Sequence, residues 1–394
     1  MELTIQNGAF LLLIAVVVAM LTQKLDLPYS AGLVAAGIVL AFSRFSPAVS
    51  LTKDLLFTVL LPPLIFQAAF YIEWRPLRRD VALIILLATV GLGFSAAITT
   101  VGMHFFANWQ WLSALVFGVL IAATDPVAVI ATFREARAQG RLPLLVEAES
   151  LFNDGTAAVG FAMMLELVQG HSPSPVQAVG QFLRMAGGGL LCGVAVAAAA
   201  LLLVGNTEDH LVELALTTVA AYGSFLLAER FQLSGVLATL SAGLMLGNIG
   251  ARGRISDRGK DVLQDFWEYA AFVTNSLIFL LIGMRVAEQN FRAVWLSALI
   301  AIVLVTVGRA AAVYPLCALF AGSHWRVPVR QQHILFWGGL RGALALALAL
   351  ALPAAVPERD TIISISFAVV AFSIFAQGLT MRPLLRAAKL LPRT

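Results

Sequence analysis

The sequence predicts an all-α polytopic membrane protein with about 13 transmembrane helices, and three observations carry that prediction. Of 394 residues, 60% are hydrophobic and 12% are charged, about half the charged share of a soluble domain. Mean hydropathy is +0.89. Apolar runs recur at the ~20-residue length that crosses a bilayer, with Pro/Gly-rich or charged breaks between them. An ordinary soluble enzyme is excluded. The net charge of +4 comes from basic residues scattered singly between apolar runs, which is no footprint for nucleic acid.

Taken in order, the first span follows a segment, Met1 to Gly8, that carries no positive charge, and no small-residue cleavage pattern follows its apolar run from Ala9 to Leu21. It reads as a retained span. The thirteen spans centre near residues 15, 35, 62, 92, 121, 157, 190, 219, 241, 276, 303, 344 and 371. Those near 35 and 241 are short and rich in Gly and Ala, as close helix packing requires. The fifth span is broken at Thr124, Asp125 and Pro126, and the twelfth at Gly338, Gly339 and Gly342. A shift of seven spans reverses direction, so the chain divides into two inverted six-helix repeats and a connector. Interrupted helices at matching places in the two halves point to a transporter's binding site. Cys192 and Cys317 sit within apolar runs without metal-ligand spacing and read as apolar fillers. His104, His171, His210, His324 and His333 fall mainly in predicted loops and form no metal site.

Charge between spans sets orientation. Seventeen lysines and arginines follow odd-numbered spans and six follow even-numbered ones. The positive-inside rule then places the C-terminus in the cytoplasm and the N-terminus outside.

Ionisable residues inside the bilayer are costly, and each needs a partner, a water path or a function. In ATDPVAV, Ala123 to Val129, Pro126 has no amide hydrogen and forces Asp125 out of helical geometry, freeing carbonyls one turn earlier. Free carbonyls, the Thr124 hydroxyl and a carboxylate form a cation site. Asp125 reads equally as a cation ligand and as a partner for positive half-helix N-termini. In EAESLFNDGTAAV, Glu147 to Val159, Ser150 and Asp154 are four apart on one helix face, with Asn153 beside them. Glu149 and Asp154 are about 140° apart around the helix and cannot easily serve one ion together. Arg309, mid-span in TVGRAAAV, needs a carboxylate, and a Glu149–Arg309 structural pair answers both. Arg341 is the alternative partner for Glu149; otherwise its guanidinium offsets the carbonyl ends at the second break. Asp154 then lacks a permanent positive partner, so a proton and a cation compete for it. With neutral Asn153 beside it, loading either one gives the same net charge, which implies electroneutral one-for-one exchange.

These residues resemble the sodium/proton exchangers of the cation:proton antiporter superfamily, in the branch of bacterial NhaP and the animal exchangers. The motifs are ATDPVAV at 123–129, ESLFNDGTA at 149–157, SGVLATLSAGLMLGN at 234–248, NSLIFLLIGM at 275–284 and GGLRGALAL at 338–346. The resemblance implies a homodimer, crossed discontinuous helices at spans 5 and 12, and elevator-type motion. It implies a sodium site at Asp154, Asp125, Ser150 and Thr124 supported by Asn153, the Glu149–Arg309 pair, and no cofactor beyond the transported ions. It further implies one membrane domain over 1–394, with a dimerisation scaffold at 1–75 and 176–288 and a mobile ion-binding core at 80–170 and 289–394. Because the sequence ends at Thr394, just past the last span, no cytoplasmic regulatory domain like that of the animal exchangers is expected. The expected partners are sodium or lithium, protons and lipid, in a bacterial inner membrane. One position departs: many relatives carry an acid where this chain has Gln67, a possible ion-path residue. Gln67 keeps hydrogen-bonding capacity and loses a charge, which leaves potassium/proton antiport as the alternative on the same scaffold. A channel or a non-transporting sensor is a more distant reading. No phosphate loop or nucleophile constellation marks a pump or an enzyme.

Overall fold

The computed structural model describes residues 5–25, 27–44, 51–135, 140–171, 173–204, 209–250 and 255–390. Arg137, Arg252, Arg254 and Arg393, counted above for orientation, lie outside these residues. Among the described residues every regular element is a helix. In order the helices are α1 (Ile5–Leu25), α2 (Tyr29–Ala41), α3 (Leu61–Tyr71), α4 (Trp74–Leu86), α5 (Leu92–Ala107), α6 (Trp111–Ile121), α7 (Val127–Glu135), α8 (Arg141–Val168) and α9 (Pro175–Val204). They continue with α10 (His210–Arg230), α11 (Gly235–Ile249), α12 (Asp257–Glu288), α13 (Phe291–Leu319), α14 (Val329–Trp337), α15 (Ala343–Leu350), α16 (Arg359–Phe372) and α17 (Leu379–Ala387).

Eight helical stretches among the described residues are long and apolar enough to cross a membrane, and four shorter apolar helices accompany them. Large apolar side chains such as Leu13, Val17 and Met20 on α1 and Leu191 and Leu202 on α9 are exposed. A water-soluble surface does not carry such a continuous apolar exterior. This is an integral membrane protein.

The chain forms two compact units, one of residues 1–53, 82–153 and 275–394, the other of 54–81 and 154–274. In the second, Phe66, Ala197, Leu201, Ala221, Leu246 and Trp267 form a buried cluster, with the Phe66 and Trp267 rings 4.5 Å apart. Short α11 packs within it because its glycines remove bulk. A Cβ on Gly247 would come within 1.9 Å of the Phe70 carbonyl oxygen, and one on Gly243 within 2.8 Å of that of Phe66. Backbone contact of this kind replaces the hydrophobic drive that lipid cannot supply.

The first unit holds both broken helices. Its α5 and α13 meet through small residues: Gly102 faces Leu304, and a Cβ on Gly308 would touch the Ser95 carbonyl oxygen at 3.0 Å. Arg309, the next residue of α13, directly follows this close seam.

Candidate ion-binding site

The first break is built by Pro126. It cannot donate to the preceding turn, so α6 closes at Ile121 and α7 starts at Val127, leaving Thr124 and Asp125 extended between two half-helices. The second break runs from Gly338 to Gly342, between α14 and α15. The two breaks cross. The Asp125 amide donates to the Leu340 carbonyl at 2.7 Å, an isolated antiparallel bridge. Gly342 permits the approach, since a Cβ there would lie 1.9 Å from Asp125 Oδ2.

The carboxylate of Asp125 accepts from the amide of Val127 at 3.0 Å and from that of Ala343. Both amides open half-helices, α7 and α15, so one carboxylate faces two positive helix ends. Of the two roles the sequence leaves open for Asp125, these two bonds are those of a helix-end partner.

Helix α8 supplies the wall beside the first break. Asn153 Oδ1 accepts from the Thr124 amide at 3.1 Å. The Thr124 and Ser150 hydroxyl oxygens are 3.1 Å apart, and the Ser150 hydroxyl donates to the Thr124 carbonyl. Thr124, Ser150 and Asn153 are all buried. Asp154 follows Ser150 by one turn on the same unbroken helix and is half-buried. Hydroxyl, amide and carbonyl oxygens such as these are hard donors, of the kind that suits a hard cation. Among the described residues no group of three or more His, Cys, Asp or Glu could hold a metal ion as a resident.

Glu149 turns the other way. Arg309 Nη1 and Nη2 donate to its two carboxylate oxygens at 2.8 and 2.9 Å, and Nη2 also donates to the Leu335 carbonyl in the last turn of α14 at 3.0 Å. Residual exposure is 2% for Glu149 and 6% for Arg309, so this fork is made without competing water. Arg341 is not Glu149's hydrogen-bonded partner. Its Nη1 donates to the Gly339 carbonyl at 2.9 Å and its amide to Ser373 Oγ at 2.9 Å. Ser373 in turn donates to Gln377 Oε1. A cavity of about 10 Å³, lined by Arg309, Arg341, Gly339, Ser373 and Gln377 among others, is about the size of one water. Gln67 is buried on α3.

Two polar residues of this arrangement escaped the sequence reading. Ser373 and Gln377 are four apart in the last span, and that spacing was the available signal. The Leu335 carbonyl carries no signal in its side chain.

An all-helical membrane protein with two crossed, interrupted helices and an oxygen-lined break belongs to the class of secondary transporters, which carry ions and catalyse no covalent chemistry. The family described as sodium/hydrogen exchanger, transmembrane, matches residues 11–387, and the chain belongs to that family. It is 35% identical over 359 residues to the Na(+)/H(+) antiporter ApNhaP of Aphanothece halophytica, covering 91% of this chain and 69% of that one. It is 36% identical over 347 residues to the Na(+)/H(+) antiporter NhaP of Pseudomonas aeruginosa, covering 85% and 81%. The solved sodium proton antiporter MjNhaP1 of Methanocaldococcus jannaschii has the same fold, with a TM-score of 0.75 at 21% identity over 98% of this chain and 97% of that one.

Proposed function

We propose that this protein is an antiporter that exchanges sodium or lithium for protons across a bacterial inner membrane. The observation that carries this reading is the crossing of the two breaks, where the Asp125 amide bonds the Leu340 carbonyl and the neighbouring Thr124 is bonded to Ser150. Membership of the exchanger family and the names of the relatives support it.

In this reading Asp154, Asp125, Ser150 and Thr124 hold the cation, and Asn153 fixes the Thr124 segment. Proton and cation compete for Asp154. Because Asn153 is neutral, either load leaves the same charge, and exchange is electroneutral and one-for-one. Eight long and four short apolar helices, with the interrupted α14–α15 pair, fit thirteen crossings arranged as two inverted six-helix repeats. Access alternates by elevator-type motion of a core carrying residues 80–170 and 289–394 against a homodimeric scaffold of 1–75 and 176–288. The Glu149–Arg309 pair is a structural tie, and Arg341 compensates carbonyls at the second break.

Dye-quenching assays in proteoliposomes with sodium, lithium and potassium salts test the assignment. Sodium or lithium should dissipate an imposed pH gradient in saturable fashion. A response to potassium alone would sink the sodium reading, and flux independent of the pH gradient would mark a channel.

A further inference from the structure

Helix α8 carries three carboxylates within eight residues, Glu147, Glu149 and Asp154. Glu149 is closed by Arg309. Glu147 is seven residues before Asp154 and three before Ser150, which at about 100° per residue places all three side chains within an arc of about 60°. It therefore shares the face of Ser150, about 10 Å along the axis from Asp154 towards the start of the helix. Glu149 lies about 160° around the helix from Glu147.

Glu147 is half-buried and makes no ion pair or side-chain hydrogen bond among the described residues. The charge that acts on it is that of Arg134 on α7, which is exposed. Two ordinary uses of such a residue fail. It stands beyond the first turn of α8, where attraction to the helix N-terminus has faded. A solvent-screened arginine at a distance contributes little to folding. A carboxylate with no hydrogen-bonded partner among the described residues, on the ion-site face of a membrane helix, is expensive, and attraction of a cation offsets that cost.

We propose that Glu147 is a recruiting carboxylate on the path to the ion site, a way-station that draws a partly hydrated monovalent cation in from the cytoplasmic side and sets apparent affinity. It is a positioning residue for the ion; the exchange step remains at Asp154. The inference rests on the antiport reading above.

Sodium-dependent exchange by Glu147→Gln and Glu147→Asp proteins, measured in oriented proteoliposomes, tests it. Removing one unit charge about 10 Å from the site should raise the apparent KM for sodium roughly three- to tenfold, with Vmax within about twofold of wild type. Glu147→Asp keeps the charge and should restore most of the affinity. The KM effect should appear when sodium is supplied on the face where α8 begins, and shrink at high ionic strength. An unchanged KM in Glu147→Gln overturns the proposal. So does a fall in Vmax and yield at constant KM, or an equal KM effect with sodium on either face. Wild-type protein without sodium-driven exchange would instead remove the antiport reading, and Glu147's role with it.

Discussion

Two carboxylates five residues apart on α8 meet different surroundings. Glu149 is gripped by both terminal nitrogens of Arg309 and is 2% exposed, whereas Asp154 follows the Ser150 hydroxyl by one turn and is half-buried. Substitutions should separate them. Asp154→Asn keeps shape and loses the charge; exchange should fall to background while yield and melting temperature stay near wild type, and retained exchange in vesicles would exclude Asp154 as the shared site. Arg309→Ala leaves Glu149 as an unpaired buried charge, at a cost of about 3–5 kcal/mol. Lower membrane yield and a lower melting temperature in detergent should follow, and an unaltered melting curve would remove the structural tie. These residues were legible because each is an ionisable or hydroxyl group inside an apolar run, where burial demands a partner. Ser373, which accepts the Arg341 amide, was not, because serine is tolerated in membrane helices by bonding its own backbone.

At the scale of elements, both breaks were visible as Pro or Gly interruptions and the family resemblance implied that they cross; the structure adds the main-chain bridge at which they meet. Sequence holds no signal for the Asp125–Leu340 bridge, since both of its atoms are main-chain. Gly342 provides the test. Gly342→Ala would place a methyl group 1.9 Å from Asp125 Oδ2, so exchange should drop at least tenfold as the carboxylate is displaced. Gly93→Ala, on an exposed helical position with nothing within 4 Å, should leave exchange intact and stabilise α5 by about 0.5–1 kcal/mol. Equal activity of the two variants would show that the crossing tolerates bulk. Helix lengths were less legible. Helix α12 runs 32 residues, longer than a ~20-residue crossing, because its first turns carry Arg258, Lys260, Asp261, Asp265 and Glu268. Those charges end the apolar run without ending the helix.

For the whole molecule, hydropathy alone gave the membrane class, because a chain that is 60% hydrophobic cannot hide its apolar surface in one soluble core. Orientation rests on the distribution of seventeen basic residues against six. Reporter fusions check it: a C-terminal cytoplasm-active reporter should be active, an N-terminal one inactive, and the reverse pattern would invert every statement about sidedness. The peptide bridge between the breaks also bears on how such a protein can change over generations. Its donor is the Asp125 amide and its acceptor the Leu340 carbonyl, groups present with any side chains at those positions save a proline at the donor. The crossing can therefore be inherited intact while hydroxyls and carboxylates around it are exchanged one at a time, so that cargo preference can drift on a frame that need not be rebuilt.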